Sequence, residues 1–150
     1  MKITLLAVGN IKEKYYKEAC EEYLKRLSRY AQVTVKEIPE ETACDAAQSR
    51  EREGKKILAS IKGKCYLTAI KGEEITSEKF AEYIKDDLDG GRELTFVIGG
   101  SYGTSQEVWD KADKKISFGK ITLPHRLMRV VFLEQLYRAF TIIGGASYHK

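Results

Sequence analysis

The chain has 150 residues, 43% of them hydrophobic and 32% charged, which is the composition of an ordinary globular protein. It contains no apolar run of about 18 residues, and the apolar stretch near its start is too short for a signal peptide, so neither a membrane span nor secretion is predicted. The net charge of +4 permits an anionic partner without requiring one. The cysteines form no CxxC pair, which favours reduced thiols in the cytoplasm over a disulfide framework.

Apolar periodicity predicts alternating strands and helices in a single domain over residues 1–150. The strands are predicted at Lys2 to Val8, Gln32 to Ile38, Lys64 to Ile70 (ended at Gly72), Leu94 to Ile98 and Ile116 to Phe118. The first two helices are predicted from Tyr15 to Tyr30 and from Ala43 to Ile61. The third is predicted from Glu78 to Leu88, with Ser77 as its N-cap. The fourth is predicted to begin at a capping box, Thr104 to Glu107, and to run through Ala112. This alternation indicates an α/β fold whose mostly parallel sheet is flanked by helices.

The last helix is the most apolar of the predicted elements. Pro124 suits its first turn, and neither Gly nor Pro follows until Gly144, so about five turns can form from His125 onward. Its apolar residues cover most of the helix circumference, which indicates burial on more than one side. We expect one side to face the sheet of the same chain and the other to face a second copy of the protein.

Three segments carry residues suited to ligand binding, and each also has a purely structural interpretation. The glycines of Gly99 to Gly103 let a ligand approach the backbone at the carboxyl end of a strand, or simply form a tight turn. The loop from Gly119 to Pro124 either wraps a flat ring or only connects two elements. The final Tyr148, His149 and Lys150 could stack on a base and hold a phosphate, or fray as chain ends often do.

Other kinds of chemistry find little support in the sequence. The two histidines lie near no Cys or carboxylate cluster, so no metal site is predicted. The serines lack the nucleophile-elbow context of common hydrolases. The acidic pairs Glu40-Glu41 and Asp86-Asp87 are interpreted as solvated surface charges.

The chain resembles the ribosomal RNA large subunit methyltransferase H family, bacterial enzymes of the SPOUT class, in four segments: KITLLAVGNIKEKYYKEACEEYLKRLSRY, FVIGGSYG, ISFGKITLPHRLMRVVFLEQLYRAF and the terminal SYHK. The resemblance covers essentially the whole chain, and TLPHxLMRVxxxEQLYRAF and YHK are its specific motifs. It implies an α/β SPOUT fold with a C-terminal trefoil knot, a homodimer, and the cofactor S-adenosylmethionine. It also implies methylation of N3 of a pseudouridine in 23S rRNA within the assembled ribosome.

By position, the resemblance implies cofactor contacts at Leu67, Gly99, Phe118, Gly119, Lys120, Ile121, Thr122 and Leu123. Two segments depart from the family pattern. In Lys71-Gly72-Glu73, near the expected cofactor site, the basic and acidic residues are exchanged, which leaves the side-chain roles around Lys71 open. The glycines of Gly144-Gly145-Ala146 favour a more mobile tail.

The methyl group of this cofactor is already activated, so the implied chemistry requires alignment of N3 and the handling of one proton. His149 is a candidate proton acceptor, Arg138 is a candidate for stabilising the developing anion, and Tyr148 is the third candidate catalytic residue. Alignment without acid–base help is the alternative mechanism. The alternative function is a non-catalytic ribosome-binding or assembly factor with the same knotted fold, but the retained loops and tail favour the enzyme.

Overall fold

The computed structural model describes all residues from 1 to 150. The strands are β1 (Lys2–Val8), β2 (Gln32–Ile38), β3 (Lys64–Glu74), β4 (Leu94–Ile98) and β5 (Lys114–Ser117). The helices are α1 (Lys14–Leu27), α2 (Ala46–Ser60), α3 (Ser77–Asp89), α4 (Gln106–Lys111) and α5 (His125–Ile143). None of these helices combines the length and the apolar character needed to cross a membrane.

The five strands form one parallel sheet in the order β2-β1-β4-β3-β5. The central strand β4 is buried at every residue, and its Phe96 lies opposite Leu5 of β1 and Tyr66 of β3. Such continuous burial is typical of a parallel sheet covered by helices on both faces. The predicted α/β fold is confirmed, and the trefoil knot stays a prediction.

Hydrophobic cores fill the space on both faces of the sheet. The larger core lies under α1, α3 and α5, where the Phe96 ring is 4.8 Å from that of Phe132 and 5.9 Å from that of Phe80, measured between centroids. The smaller core lies under α2 and α4 and includes Ile57 and Val108. With helices on both faces, the irregular loops are left at the two ends of the strands.

Helix α5 runs over the sheet between α1 and α3 of the same chain. Its fully buried residues include Phe132, Leu136 and Phe140, whereas Leu127 and Val131 are only partly covered. Two neighbouring helices therefore account for much of the wide apolar surface that the sequence assigned to a second copy. The remaining partly covered apolar residues are what a partner chain would bury.

The interpretation of Asp86-Asp87 as solvated charges is wrong for Asp87, which is fully buried. Its carboxylate accepts hydrogen bonds from the Tyr66 hydroxyl at 2.5 Å, from Lys64 Nζ at 2.7 Å and from Arg92 Nη1 at 2.9 Å. Burial alone would raise the pKa of Asp87, but these hydrogen bonds together lower it below its ordinary value. The cluster ties the starts of β3 and β4 to the end of α3.

Several element boundaries differ from the predictions. Strand β5 is Lys114–Ser117 instead of Ile116 to Phe118, α1 ends at Leu27 and not at Tyr30, and α2 begins at Ala46 and not at Ala43. Strand β3 continues through Gly72 to Glu74, past its predicted end. Position 72 is glycine because β5 runs so close that a Cβ there would lie 2.8 Å from Ile116 N. The cap of α3 is Thr76, whose hydroxyl accepts from Lys79 N at 3.0 Å, and not Ser77. The cap of α4 is Ser105, so the capping box from Thr104 to Glu107 is wrong by one residue.

Candidate active site

A cavity of about 940 Å³ opens at the carboxyl edge of the sheet. Its walls come from the ends of β3, β4 and β5, from the loops that follow β4 and β5, and from the start of α5. Parallel strands deliver their following loops to the same edge, which is where open α/β sheets bind ligands. The volume is within the usual range for a cofactor or small-molecule site.

The first wall is the glycine turn, defined here as Gly99 to Gly103. The Gly103 N–H donates to the Gly100 carbonyl at 3.0 Å and closes a tight turn, with Gly103 in the left-handed region at φ +78°. A Cβ on Gly99 would lie 2.8 Å from Thr104 Cγ2 and 3.1 Å from the Gly103 carbonyl carbon. The turn itself therefore requires glycine at position 99, and its backbone borders the cavity at the same time.

The second wall is the loop from Phe118 to Pro124. The Ser117 hydroxyl donates to the Gly119 carbonyl at 2.9 Å and accepts from the Gly119 N–H at 3.2 Å, which fixes the start of the loop. Gly119 has φ +130°, and a Cβ there would meet no atom within 4 Å. Its backbone therefore faces open space, and the 80% exposed Ile121 stands at the cavity mouth.

The structure brings most of the predicted cofactor residues together. The residues that line the cavity are Gly99, Phe118, Gly119, Ile121, Thr122 and Leu123. Leu67 is fully buried in the smaller core, and Lys120 is exposed outside the lining. Lys71 of the unusual Lys71-Gly72-Glu73 segment does line the cavity, whereas Glu73 accepts a hydrogen bond from the Tyr83 hydroxyl at 2.9 Å. All cofactor contacts, including those of Leu67 and Lys120, stay predictions.

Several lining residues were not singled out from the sequence. Trp109, Met128 and His125 border the cavity. The His125 Nε2 atom is buried without a hydrogen-bond partner and lies against Gly9. The available signal was positional, because Trp109 lies on α4, the helix that follows the glycine turn, and His125 directly follows the second wall.

The three predicted catalytic residues meet in a second cluster, defined here as the tail cluster: Glu134, Arg138, Tyr148 and His149. Arg138 donates to Glu134 Oε1 at 2.6 Å and lies 3.2 Å from His149 Nδ1. The Tyr148 hydroxyl donates to Glu134 Oε1 at 3.1 Å, and the Arg138 guanidinium lies 4.8 Å from the centroid of the Tyr148 ring. The tail is therefore packed against α5 and does not fray.

Both ring nitrogens of His149 have hydrogen-bond partners. Arginine only donates, so His149 Nδ1 accepts from Arg138, and the other nitrogen, Nε2, donates to Glu78 Oε1 at 2.8 Å. Burial, followed by the hydrogen bond to Glu134, raises the pKa of Tyr148 to about 12, so its hydroxyl remains a donor at neutral pH.

Within one chain the tail cluster and the cavity are separate, since none of its four residues belongs to the cavity lining. No group of three or more His, Cys, Asp or Glu side chains is arranged to hold a metal ion. The cavity thus offers backbone and apolar surface, and the tail cluster offers the titratable side chains.

Comparisons with known proteins agree with this architecture. Residues 1–149 match a family model described as "Predicted SPOUT methyltransferase". The chain belongs to the SPOUT methyltransferase family. Within it, the chain is 51% identical to ribosomal RNA large subunit methyltransferase H of Lactobacillus acidophilus and 49% identical to that of Carboxydothermus hydrogenoformans, each over the full length of both chains. The family recognised from the motifs is therefore confirmed.

Two solved structures share the fold of this chain at low sequence identity. A Legionella pneumophila protein in complex with SAM superposes with a TM-score of 0.53 at 12% identity, covering 93% of this chain and 66% of that one. A methylase-family protein of Haemophilus influenzae gives a TM-score of 0.53 at 10% identity, covering 95% of this chain and 66% of its own. At these identities the similarity concerns the fold alone.

Proposed function

We propose that the protein transfers a methyl group from S-adenosylmethionine to N3 of a pseudouridine in 23S ribosomal RNA. The observation that carries this proposal is the cavity at the carboxyl edge, bordered by glycine backbone on two walls, in a chain similar over its full length to ribosomal RNA large subunit methyltransferases H. The Legionella pneumophila structure, which has a similar fold, contains bound SAM, and this agrees with the choice of cofactor.

The cavity residues suit this cofactor chemically. Ile98, Ile116 and Leu123 provide apolar surface, and the open space beside Gly119 lets a flat nucleoside approach the backbone closely. Gly99 and Phe118 to Leu123 would hold the cofactor between the two walls. When bound, it supplies a methyl group that is already activated on a sulfonium.

The residues of the chain then have two tasks, which are to align the target base and to take up the N3 proton. Arg138 is a cation hydrogen-bonded to Glu134 and can stabilise the negative charge that develops when N3 loses its proton. His149 Nδ1 is an acceptor in the neutral imidazole and can receive this proton once Arg138 turns from Nδ1 toward the base. Tyr148 packs under the Arg138 guanidinium and positions it.

The active form is inferred to be a homodimer. The tail cluster lies outside the cavity of its own chain, although the proposed chemistry requires both beside one target base. A second copy placed against the partly covered side of α5 would resolve this separation if its tail cluster reached the cavity of the first. The partly covered Leu127 and Val131 give such an interface apolar surface.

The proposed substrate is the assembled ribosome in the cytoplasm. The net charge of +4 predicts few phosphate contacts, and a small domain with few such contacts binds naked RNA weakly at physiological salt. Recognition should therefore depend on a shaped site that the folded ribosome provides.

The test is methyl transfer from labelled S-adenosylmethionine to ribosomes that lack the modification, compared with protein-free 23S rRNA. Nucleoside analysis should find the label on N3 of a pseudouridine, with faster transfer to ribosomes. Ribosomes carrying uridine at the same place are the matched control. Cofactor binding without transfer to either RNA would contradict the enzyme and favour a binding factor, whereas equal rates on both RNAs would contradict only the ribosomal substrate.

A further inference from the structure

Helix α2 supports the back of the glycine turn with buried polar residues. Ser49 and Glu53 lie one helical turn apart on its inner face, and Glu53 is only 3% exposed. Gly54, next to them, allows α2 to approach Ser105 so closely that a Cβ would overlap the serine hydroxyl. A buried carboxylate is costly unless hydrogen bonds compensate it, so its partners indicate what it does.

The partner of Glu53 is the backbone of the loop after β2. Its Oε2 accepts from the Glu41 N–H at 2.9 Å, while the Ser49 hydroxyl donates to the Glu41 carbonyl at 2.8 Å. Both backbone polar groups of one loop residue are thus held by α2. Lys56 adds an ion pair with the Glu41 carboxylate at 2.8 Å. Glu40 and Glu41 are half-exposed, so their interpretation as solvated charges holds in part, but both carboxylates also have fixed hydrogen-bond partners.

The neighbouring Glu40 connects this fixed loop to the glycine turn. Its Oε1 accepts from the Ser101 hydroxyl at 2.7 Å. Glu53 also borders the turn directly, since a Cβ on Gly100 would lie 3.3 Å from its Oε1. The glycine turn has little side chain of its own to hold its shape, so these carboxylates supply the contacts that it lacks.

We propose that Glu53 and Glu40 are positioning residues that hold the glycine turn in the shape that receives the cofactor. Glu53 fixes the loop after β2, and Glu40 transmits that position to Ser101 on the turn. The hydrogen bond from Ser101 lowers the pKa of Glu40, which keeps this acceptor ionised at neutral pH. The identity of the cofactor rests on the proposed function, but the restraint of the turn does not.

The decisive variant is Ser101→Ala, because it removes the Ser101–Glu40 hydrogen bond from an exposed position without disturbing the core. Calorimetric affinity for S-adenosylmethionine should fall about fivefold. Glu53→Ala should weaken binding by about tenfold or more, because it leaves the Glu41 N–H without its acceptor. Glu53→Gln keeps an acceptor oxygen and should stay within about threefold of the wild type.

The matched control is Glu51→Ala, which removes an exposed carboxylate from the same helix and should leave affinity unchanged. Amide hydrogen exchange on the protein without cofactor provides a second readout: the amides of residues 99–103 should exchange about fivefold faster in Ser101→Ala than in Glu51→Ala. This comparison does not depend on which cofactor binds, and it remains valid if Glu53→Ala fails to fold.

The outcomes separate this inference from the proposed function. A wild-type protein that binds no S-adenosylmethionine would overturn the proposed function. The hydrogen-exchange comparison alone would then show whether the Ser101–Glu40 hydrogen bond restrains the glycine turn. If the wild type binds but Ser101→Ala binds equally well with unchanged exchange, the positioning role is refuted. Failure of Glu53→Gln to restore affinity lost in Glu53→Ala would refute the role of Glu53 as an acceptor.

Discussion

Replacing Asp87 by Ala should destabilise the protein strongly without affecting its cofactor site. The substitution leaves the fully buried Tyr66 hydroxyl without its acceptor and removes the partner of Lys64, whose side chain is 21% exposed. Breaking a buried, hydrogen-bonded pair costs about 3–5 kcal/mol. Lys64 and the half-exposed Arg92 can partly return to water, so we expect about 2–4 kcal/mol here.

Thermal and urea unfolding, followed by circular dichroism at a fixed protein concentration, measure this loss. For a chain of this length, each kcal/mol shifts Tm by about 2–4 °C, so Tm should fall by about 4–16 °C. Asp86→Ala is the matched control, since Asp86 is exposed beside Asp87 on the same helix. Affinity for S-adenosylmethionine should be unchanged, because the Asp87 cluster lies at the opposite edge of the sheet from the cavity.

The pH dependence follows from the lowered pKa of Asp87. A carboxylate with a depressed pKa in the folded state stabilises the protein above its unfolded pKa, about 3.9, and loses that effect as pH falls through the folded value. The stability difference between wild type and Asp87→Ala should therefore be constant at neutral pH and shrink below about pH 4. A loss at neutral pH no larger than that of Asp86→Ala would refute this account.

Four further predictions concern the site and the oligomeric state. Gly99→Val should weaken S-adenosylmethionine binding at least about tenfold by calorimetry, because its Cβ would strike Thr104 and the turn must shift; unchanged affinity in a folded variant would refute the pocket. Deleting Tyr148 to Lys150 should slow methyl transfer at least about tenfold with cofactor affinity retained, and should lower Tm by a few degrees because Tyr148 and His149 make packed contacts. In His149→Ala, partial recovery of the rate at high pH would assign His149 as the base, whereas a raised KM without recovery would assign it to RNA contact. Light scattering at micromolar concentration should give twice 17.1 kDa, and a monomer there would contradict the homodimer.

The fold was predictable because its signals are local. Strand β4 is a short apolar run closed by a turn, β2 alternates apolar and polar residues, and the helices have apolar faces. The errors arose where tertiary contacts override local preference. Gly72 looked like a strand end, but it is glycine because β5 passes too close for a side chain.

The candidate site was predictable only in part, for a similar reason. The glycine turn and the Phe118 to Leu123 loop carry sequence patterns that can be recognised, and they do meet at one edge. Glu40, Glu53 and Asp87 are indistinguishable in sequence from surface acids, because their burial depends on donors that lie far along the chain, such as Ser101 for Glu40. Similarly, nothing in the tail shows that Tyr148 would pack against α5.

The strand order has a consequence for how the molecule folds. β4 inserts between β1 and β3, so the centre of the sheet joins segments that are far apart in sequence, for example Leu5 and Phe96. The β1-α1-β2 and β3-α3-β4 units each pair strands that are consecutive in the chain, whereas the β1–β4 pairing joins the two units across α2 and β3. Topologies dominated by such distant pairings fold in milliseconds to seconds and expose unpaired strand edges while they do so. The cavity also needs β5, which pairs with β3 after the chain has passed through β4, so it should appear only after the β3-α3-β4 unit has formed.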